Sequence, residues 1–425
     1  MRSPSREVIL VRKTNYKALI RDNAVTILFV VLCVLSIAYS GQSLSYVAYE
    51  LFGRLTRNAF IVLALIIPIV AGMGINFAIT IGAMAAQIAA LWVTEWQIQG
   101  LGGFAVAAAM IVPIAALFGY LIGNLLNKMK GQEMIGGMIL GYFANGLYQL
   151  LFLFIFGNLI PLHTDGLVIK GSTGVANTVE LKGISGTLDR IWRADFSTAL
   201  YILLGIVVLY GVIQLARKSG SKKSAIAKIA AAVIAAAAYQ IPAVKAVFST
   251  VRIPMITYLI IGLLCLFNVA IMRTRLGQQF RAVGQNMTVA NASGINVDRV
   301  RVIAIMISTV LAAWGQLIFV QNFGVFQTYG AHEQVGLYAG AAILVGGASI
   351  VRATNSQAIL GCILFHTLFI VAPAAGNTLF GDAGIGEYFR VFISYGVIAL
   401  SLVLHGLRSM KAKNPANAIE EAGNK

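Results

Sequence analysis

Residues 59–75 read AFIVLALIIPIVAGMGI, an apolar run without a charged residue, asparagine or glutamine. Two more runs of this kind, AVTILFVVLCVLSIAYS and ALYILLGIVVLYGVI, occupy residues 24–40 and 199–213. Each run approaches the roughly 20 apolar residues that an α-helix needs to cross a lipid bilayer. The three runs therefore predict membrane-spanning helices and exclude a soluble protein.

The rest of the chain has the composition of a membrane protein. Its 425 residues are 59% hydrophobic and 11% charged, whereas soluble domains carry about 25% charged residues. We expect an all-α fold, a polytopic transmembrane helical bundle of about 10–12 spans with a broken helix and short cytoplasmic helices. The apolar pattern predicts helices at about 24–40, 59–77, 82–99, 103–126, 134–157, 197–216, 227–247, 255–272, 300–321, 336–351, 356–373 and 388–407.

Basic residues divide unequally between the two sides of this predicted bundle. Both chain termini lie on one side, together with 23 of the 32 Lys and Arg residues and six of the 15 acidic residues. Because Lys and Arg are retained in the cytoplasm, this side is predicted to be cytoplasmic. The net charge of +17 then reflects orientation, and membrane lipids with anionic headgroups, not nucleic acid, are the expected contact.

The helices divide the chain into a basic cytoplasmic tail (1–23), a transmembrane domain (24–407) and a cytoplasmic C-terminal tail (408–425). The run at 24–40 is treated as a retained helix, because no small-residue cleavage site follows it at signal-peptide distance. A loop over residues 158–196 is expected outside. It is either a flexible linker or, as we prefer, a short folded element that touches an extracellular partner, because Ile184 and Trp192 need burial.

The sequence offers no motif for catalysis, cofactor binding or metal binding. It contains no GxxxxGK[ST] loop, HExxH helix or GxSxG elbow. Cys33, Cys265 and Cys362 fall in apolar helices without metal-ligand spacing. His366 is the titratable residue placed well inside a predicted span, which argues against a proton relay. We expect no enzyme activity in this chain.

Residues 72–82, GMGINFAITIG, interrupt the apolar pattern with glycine and polar residues. Non-helical backbone at membrane depth has to face protein or water, so this segment is either a broken helix lining a substrate path or a site of close helix packing. Amides and aromatic residues on later helices extend the candidate path, although the aromatic residues also suit a membrane interface. The predicted path residues are Gly72, Gly74, Asn76, Thr80, Gly82, Asn145, Gln149, Gln316, Gln321 and Phe323.

A cytoplasmic segment over residues 273–299 is punctuated by three glycines. Because glycine commonly ends a helix, the segment predicts two short helices, at 278–283 and 287–292. Asn286 is placed to cap the second helix. We expect the pair to lie across the membrane surface, where another protein can grip it.

This segment resembles the coupling segment of ABC importer permeases for ribose, other simple sugars, nucleosides and branched-chain amino acids. The pattern T-x-x-G-x-x-x-R-A-x-G-x-N-x-x-x-A-x-x-x-G-I begins at Thr274. The patch at 72–84 resembles a second family element in part, and AAILVGGASI at 341–350 resembles a third, although VRATNS replaces the usual G-G-x-G. The resemblance implies that the ATPase-coupling residues are Gly277, Arg281, Ala282, Gly284, Asn286, Ala290, Gly294 and Ile295.

The resemblance also implies partners and a location. It implies a permease in the bacterial cytoplasmic membrane that passes a simple sugar or nucleoside delivered by an extracellular solute-binding protein. A second permease subunit, homologous or identical, and two cytoplasmic ABC ATPase subunits are expected beside it. The alternatives are a branched-chain amino acid permease, a sodium-coupled secondary transporter that uses carbonyls of the break at 72–82, and a lipid enzyme acting through His366.

Overall fold

The computed structural model of the protein describes residues 23–169, 174–216 and 222–413. Most of both predicted tails, and residues 217–221 of a basic turn, lie outside these ranges. The first helices are α1 (Ala24–Ser40), α2 (Leu44–Ala64), α3 (Ile66–Val70), α4 (Ile79–Glu95), α5 (Gly100–Lys128), α6 (Glu133–Leu150, continued by a π-helical turn at Leu151–Ile155), α7 (Thr187–Ile191) and α8 (Phe196–Ala216).

The later helices are α9 (Lys222–Tyr239), α10 (Pro242–Phe248), α11 (Met255–Arg273), α12 (Arg275–Gln285), α13 (Met287–Ala292), α14 (Val297–Phe323), α15 (Val335–Val345), α16 (Asn355–Phe380) and α17 (Ala383–Lys413). Four short strands join them: β1 (Thr178–Glu180), β2 (Arg193–Asp195), β3 (Arg252–Pro254) and β4 (Val325–Gln327). The all-α prediction is confirmed.

Many of these helices can cross a membrane. In the described parts of the chain, seven spans are long and apolar enough, or eight if the bent pair α9 and α10 counts as one. Helices α1, α4 and α15 are apolar but shorter. The predicted polytopic bundle is therefore confirmed, with several elements that need neighbours to complete a crossing.

The centre of the bundle is α14, which packs against α5, α4 and α2. Helix α16 forms a second centre, in contact with α1, α2, α15 and α17. Side chains between them, such as Leu63, Leu317 and Phe365, are completely buried. In contrast, Gly211 is the one fully buried residue of α8, as expected of a helix that faces lipid.

The two ends of the bundle are built differently. Strand β1 pairs antiparallel with β4, and β2 pairs antiparallel with β3. Both strand pairs lie at one end of the bundle, which we call the sheet end. The opposite end, formed by residues 274–296 with α12 and α13, is called the short-helix end. The described parts of the loop, residues 158–169 and 174–196, include two short strands and a helix and bury Ile184, but Trp192, also expected to be buried, is 49% exposed.

Several helix boundaries differ from the prediction. The helix expected at 59–77 already begins at Leu44, because the Ser43 side chain caps it by accepting from the Tyr46 amide. The helix expected at 227–247 is two helices that meet at 87°, since Pro242 lacks an amide donor and suits the start of α10. The helix expected at 336–351 ends at Val345, before a turn in which Gly347 has φ +88°.

A buried ion pair joins three helices at the short-helix end. Arg301, in the first turns of α14, is completely buried. Its Nη2 donates to Glu133 Oε1 at 2.6 Å, and its Nη1 lies 3.1 Å from Met287 Sδ. The pair therefore links α14 to α6 and α13, and Arg301 is one of the 23 basic residues counted above on the predicted cytoplasmic side.

Replacing Glu133 by alanine should lower the thermal stability of the detergent-solubilised protein. It leaves the Arg301 guanidinium buried without a counter-charge, which destabilises proteins by about 3–5 kcal/mol. The melting temperature followed by circular dichroism measures the change. The exposed pair Lys130–Asp298 is a matched control, because Lys130→Ala should change stability by about 1 kcal/mol or less. Equal small shifts in both variants would contradict the prediction.

Candidate substrate path and coupling segment

The first helix break lies between α3 and α4. Residues 71–78 are non-helical, and Gly72 and Gly74 adopt φ values of +77° and +67°, which glycine tolerates best. The Asn76 side chain lies 3.5 Å from the Ser308 hydroxyl on α14. The predicted broken helix is therefore present, and α14 covers it.

One end of this break touches the short helices. A Cβ atom added to Gly284 would lie 2.1 Å from the Val70 carbonyl oxygen, and one added to Gly72 would lie 2.7 Å from Gly284 Cα. The two backbones are thus in direct contact. Gly72 lies at the short-helix end, because α2 and α3 together are long enough to reach that end.

The other end of the break reaches the middle of the bundle. Gly82 lies inside α4, where an added Cβ would be 2.5 Å from the Thr309 carbonyl oxygen. Thr309 is twelve residues along α14, which corresponds to about 18 Å of helix. The break therefore connects the short-helix end to mid-membrane depth.

The coupling segment forms two short helices, as predicted. The Thr274 hydroxyl accepts from the Gly277 amide at 3.3 Å and caps α12. The Asn286 side chain accepts from the Val289 amide at 3.1 Å and caps α13, so the predicted cap is confirmed. Gly294, with φ +81°, ends α13.

The glycines at 277 and 284 do not end helices, which corrects the prediction. Both lie inside α12 and allow close packing; an added Cβ at Gly277 would lie 2.2 Å from the Ile271 carbonyl oxygen. Ala290 is buried and Ala282 half-buried, while Arg281 and Asn286 are exposed. The amide of Ile295 donates to the Ala290 carbonyl at 3.1 Å. The segment is anchored by small residues and presents polar side chains outward.

A cavity of about 200 Å³, the central cavity, lies beside the break. Thr80 and Asn145, two of the predicted path residues, line it together. The other eight predicted path residues are not among its described lining residues: Gly72, Gly74, Asn76, Gly82, Gln149, Gln316, Gln321 and Phe323. The lining residues are Phe77, Thr80, Met138, Gly141, Tyr142, Asn145, Glu333, Gln334, Gly336, Leu337 and Tyr395.

Three of the predicted path residues that do not line the central cavity contact other parts of the protein. Gln316 is buried and donates to the Ala331 carbonyl at 3.3 Å. Gln321 is buried and donates to Asp189 Oδ2 at 3.1 Å. The exposed ring of Phe323 lies 4.5 Å from the Arg57 guanidinium. These contacts fix the part of α14 that lies at the sheet end.

Sequence reasoning missed a second break, the loop of residues 328–334. His332 is completely buried, and its ring nitrogens lie 2.9 Å from Gln87 Oε1 and 2.8 Å from Asn145 Oδ1. Glu333 accepts from the Asn145 amide at 3.2 Å. The length of the apolar run gave no signal, since residues 335–351 carry no charge, as in a span that continues; the structure instead ends α15 after 11 residues, whereas a crossing needs about 20.

The two breaks pack against each other at the central cavity. A Cβ atom added to Gly336, in the first turn of α15, would lie 2.8 Å from the Phe77 carbonyl oxygen and 3.0 Å from the Thr80 hydroxyl. One added to Gly340 would lie 2.9 Å from Ile75 Cγ2. Helices α4 and α15 therefore both begin beside this cavity, as in a site built from discontinuous helices.

Comparison with known proteins gives partial matches to transport proteins. The chain is 32% identical over 167 residues to the probable ABC transporter permease protein YphD of Escherichia coli, and 28% identical over 156 residues to the high-affinity branched-chain amino acid transport system permease protein BraD of Pseudomonas aeruginosa. It is 25% identical over 210 residues to the xylose transport system permease protein XylH of Haemophilus influenzae. No solved structure matches significantly.

The extent of these matches differs. The alignments cover 38%, 37% and 46% of this chain and 47%, 45% and 54% of the three relatives, so the chain spans about half the length of the curated relatives it matches. The profile of one family, in contrast, matches residues 50–402, which include both breaks and the coupling segment. The chain therefore belongs to the family described as branched-chain amino acid transport system/permease component.

Proposed function

We propose that this chain is the permease subunit of an ABC importer and that its substrate path runs through the central cavity. Two ATPase subunits bind at the short-helix end, which faces the cytoplasm, and a second permease subunit completes the path. An extracellular solute-binding protein delivers the solute at the sheet end. Family membership supports a membrane subunit that leaves ATP hydrolysis to a partner.

The contact between Gly72 and Gly284 carries this proposal. It joins the segment that resembles an ATPase-coupling element to the break that lines the cavity, backbone against backbone. Closely packed elements move as rigid bodies because interiors resist compression. A displacement of α12 is therefore passed to the break and from there to Phe77 and Thr80 at the cavity.

The solute we propose is a sugar or a nucleoside. The central cavity offers hydroxyl, amide and aromatic groups, the groups that hold a polar ring. The relative XylH is named for xylose transport. The relative BraD is named for branched-chain amino acids, so such an amino acid is the alternative solute.

Gly284→Ala should uncouple ATP hydrolysis from transport. The new methyl group would lie 2.1 Å from the Val70 carbonyl oxygen, so α12 has to move away from the break. We expect transport per ATP hydrolysed to fall about fivefold or more, the scale of a lost coupling free energy. Uptake and ATP hydrolysis are measured together in proteoliposomes containing the purified transporter.

The matched control for this variant is Gly262→Ala in α11, where an added Cβ meets no atom within 4 Å. It should transport like the unmodified protein. Full coupling in Gly284→Ala would refute the assignment of α12 as the element that drives the break.

Gly336→Ala should impair transport at the cavity itself. Its methyl group would press on Phe77 and Thr80 and push α15 away from the first break, an overpacking that costs about 1–3 kcal/mol. We expect slower uptake while the ATPase partner stays bound, which copurification checks. Gly146→Ala on α6, which meets no atom within 4 Å, is the control. Unchanged uptake in Gly336→Ala would remove the central cavity from the path.

A further inference from the structure

The loop of residues 328–334 carries an ionisable residue deep into the bundle. The side chain of Gln316 donates to the loop backbone at 3.3 Å, seven residues before α14 ends, or about 10 Å along the helix. His332 meets Gln87, eight residues before α4 ends, or about 12 Å. Two helices thus place the adjacent Glu333 well inside the membrane-spanning bundle.

A chain of hydrogen bonds fixes the Glu333 carboxylate. Gln87, His332, Asn145 and Glu333 follow one another with separations of 2.9, 2.8 and 3.2 Å. His332 is completely buried, whereas Glu333 is exposed and lines the central cavity. His332 and Asn145 are therefore positioning residues, and Glu333 is the group that a solute meets.

The charge of Glu333 has no counter-ion in the cavity wall. Among the described residues that line the central cavity, none is Lys or Arg, and Glu333 is the one carboxylate. A carboxylate at this depth is costly unless it faces water or a protein partner. Thr80, Asn145 and Gln334 line the same cavity and make this part of its wall polar. The wall is thus suited to an aqueous path, not to lipid.

We propose that Glu333 sets the charge selectivity of the central cavity. Its oxygens accept hydrogen bonds from the hydroxyl groups of an uncharged solute, and its charge repels solutes with a net negative charge, such as a sugar phosphate. This inference rests on the proposed function, because it takes the central cavity as part of the substrate path. It assigns a selectivity residue to the cavity wall.

The test measures the electrostatic potential of the cavity with thiol reagents. Cys33, Cys265 and Cys362 are replaced by alanine, and Gln334→Cys, at a position that lines the cavity, is the reporter. Its modification rates by cationic methanethiosulfonate ethyltrimethylammonium and by anionic methanethiosulfonate ethylsulfonate are compared in membranes. We expect both to react and the cationic reagent to react faster. The isosteric change Glu333→Gln should lower the ratio of the two rates by roughly tenfold.

The control is Glu180→Gln, which removes an exposed carboxylate at the sheet end and should leave the ratio unchanged. A reporter that neither reagent modifies, or a ratio that Glu333→Gln does not change, would overturn the proposal. If Glu333→Gln does not fold, equal rates for the two reagents with Glu333 in place would overturn it as well. The assay needs neither ATPase nor solute, so a negative result leaves the proposed coupling role of Gly284 intact. Likewise, full coupling in Gly284→Ala would leave the proposed role of Glu333 intact.

Discussion

A chain in a lipid bilayer has to satisfy its backbone hydrogen bonds without water, and this constraint shapes the whole molecule. Two segments, residues 71–78 and 328–334, leave the helical conformation inside the bundle. Their amides find partners in turns, for example Met73 to the Pro68 carbonyl and Ala331 to the Gln327 carbonyl. Protein has to surround such segments. That requirement explains why α14, rather than a peripheral helix, lies at the centre.

Placing both breaks in one region creates the functional geometry. Helices α4 and α15 begin beside the same cavity, and both breaks contribute to its wall. Glycine makes this possible at Gly336 and Gly340, where side chains would collide with the first break. At the short-helix end, the absence of side chains at Gly72 and Gly284 likewise lets α12 pack directly against the break. In the proposed importer, a displacement of α12 would therefore reach the wall of the central cavity through this one backbone contact.

The sequence predicted the parts of this structure that follow from local patterns. Apolar runs indicated most spans, Asn286 was assigned correctly as a cap, and the glycines at 72 and 74 indicated the first break. Thr80 and Asn145, far apart in the chain and both predicted to line a path, lie in the wall of one cavity. The structure leaves their role in a substrate path, and the roles of the coupling residues, as proposals.

The parts that sequence reasoning missed depend on tertiary contacts. Glu333 was assigned to a loop because hydrophobicity does not show that a polar loop turns back into the bundle. The sequence indicates only that Arg301 belongs to the basic cytoplasmic side. Its ion pair with Glu133, 168 residues away, is visible only in the structure. Gln316 and Gln321 were predicted to line a substrate path. In the structure their side chains donate to the Ala331 carbonyl and to the Asp189 carboxylate. The hydrophobic periodicity of a single helix does not predict such contacts between distant parts of the chain.

The most direct test of the proposed importer is to purify this chain from its native membrane in a mild detergent and identify what accompanies it. The proposal predicts that an ATPase with a phosphate-binding loop and a solute-binding protein copurify and that the eluate hydrolyses ATP. Recovery of the chain alone, without ATPase activity and with uptake that depends on a sodium gradient, would contradict it and favour a secondary transporter.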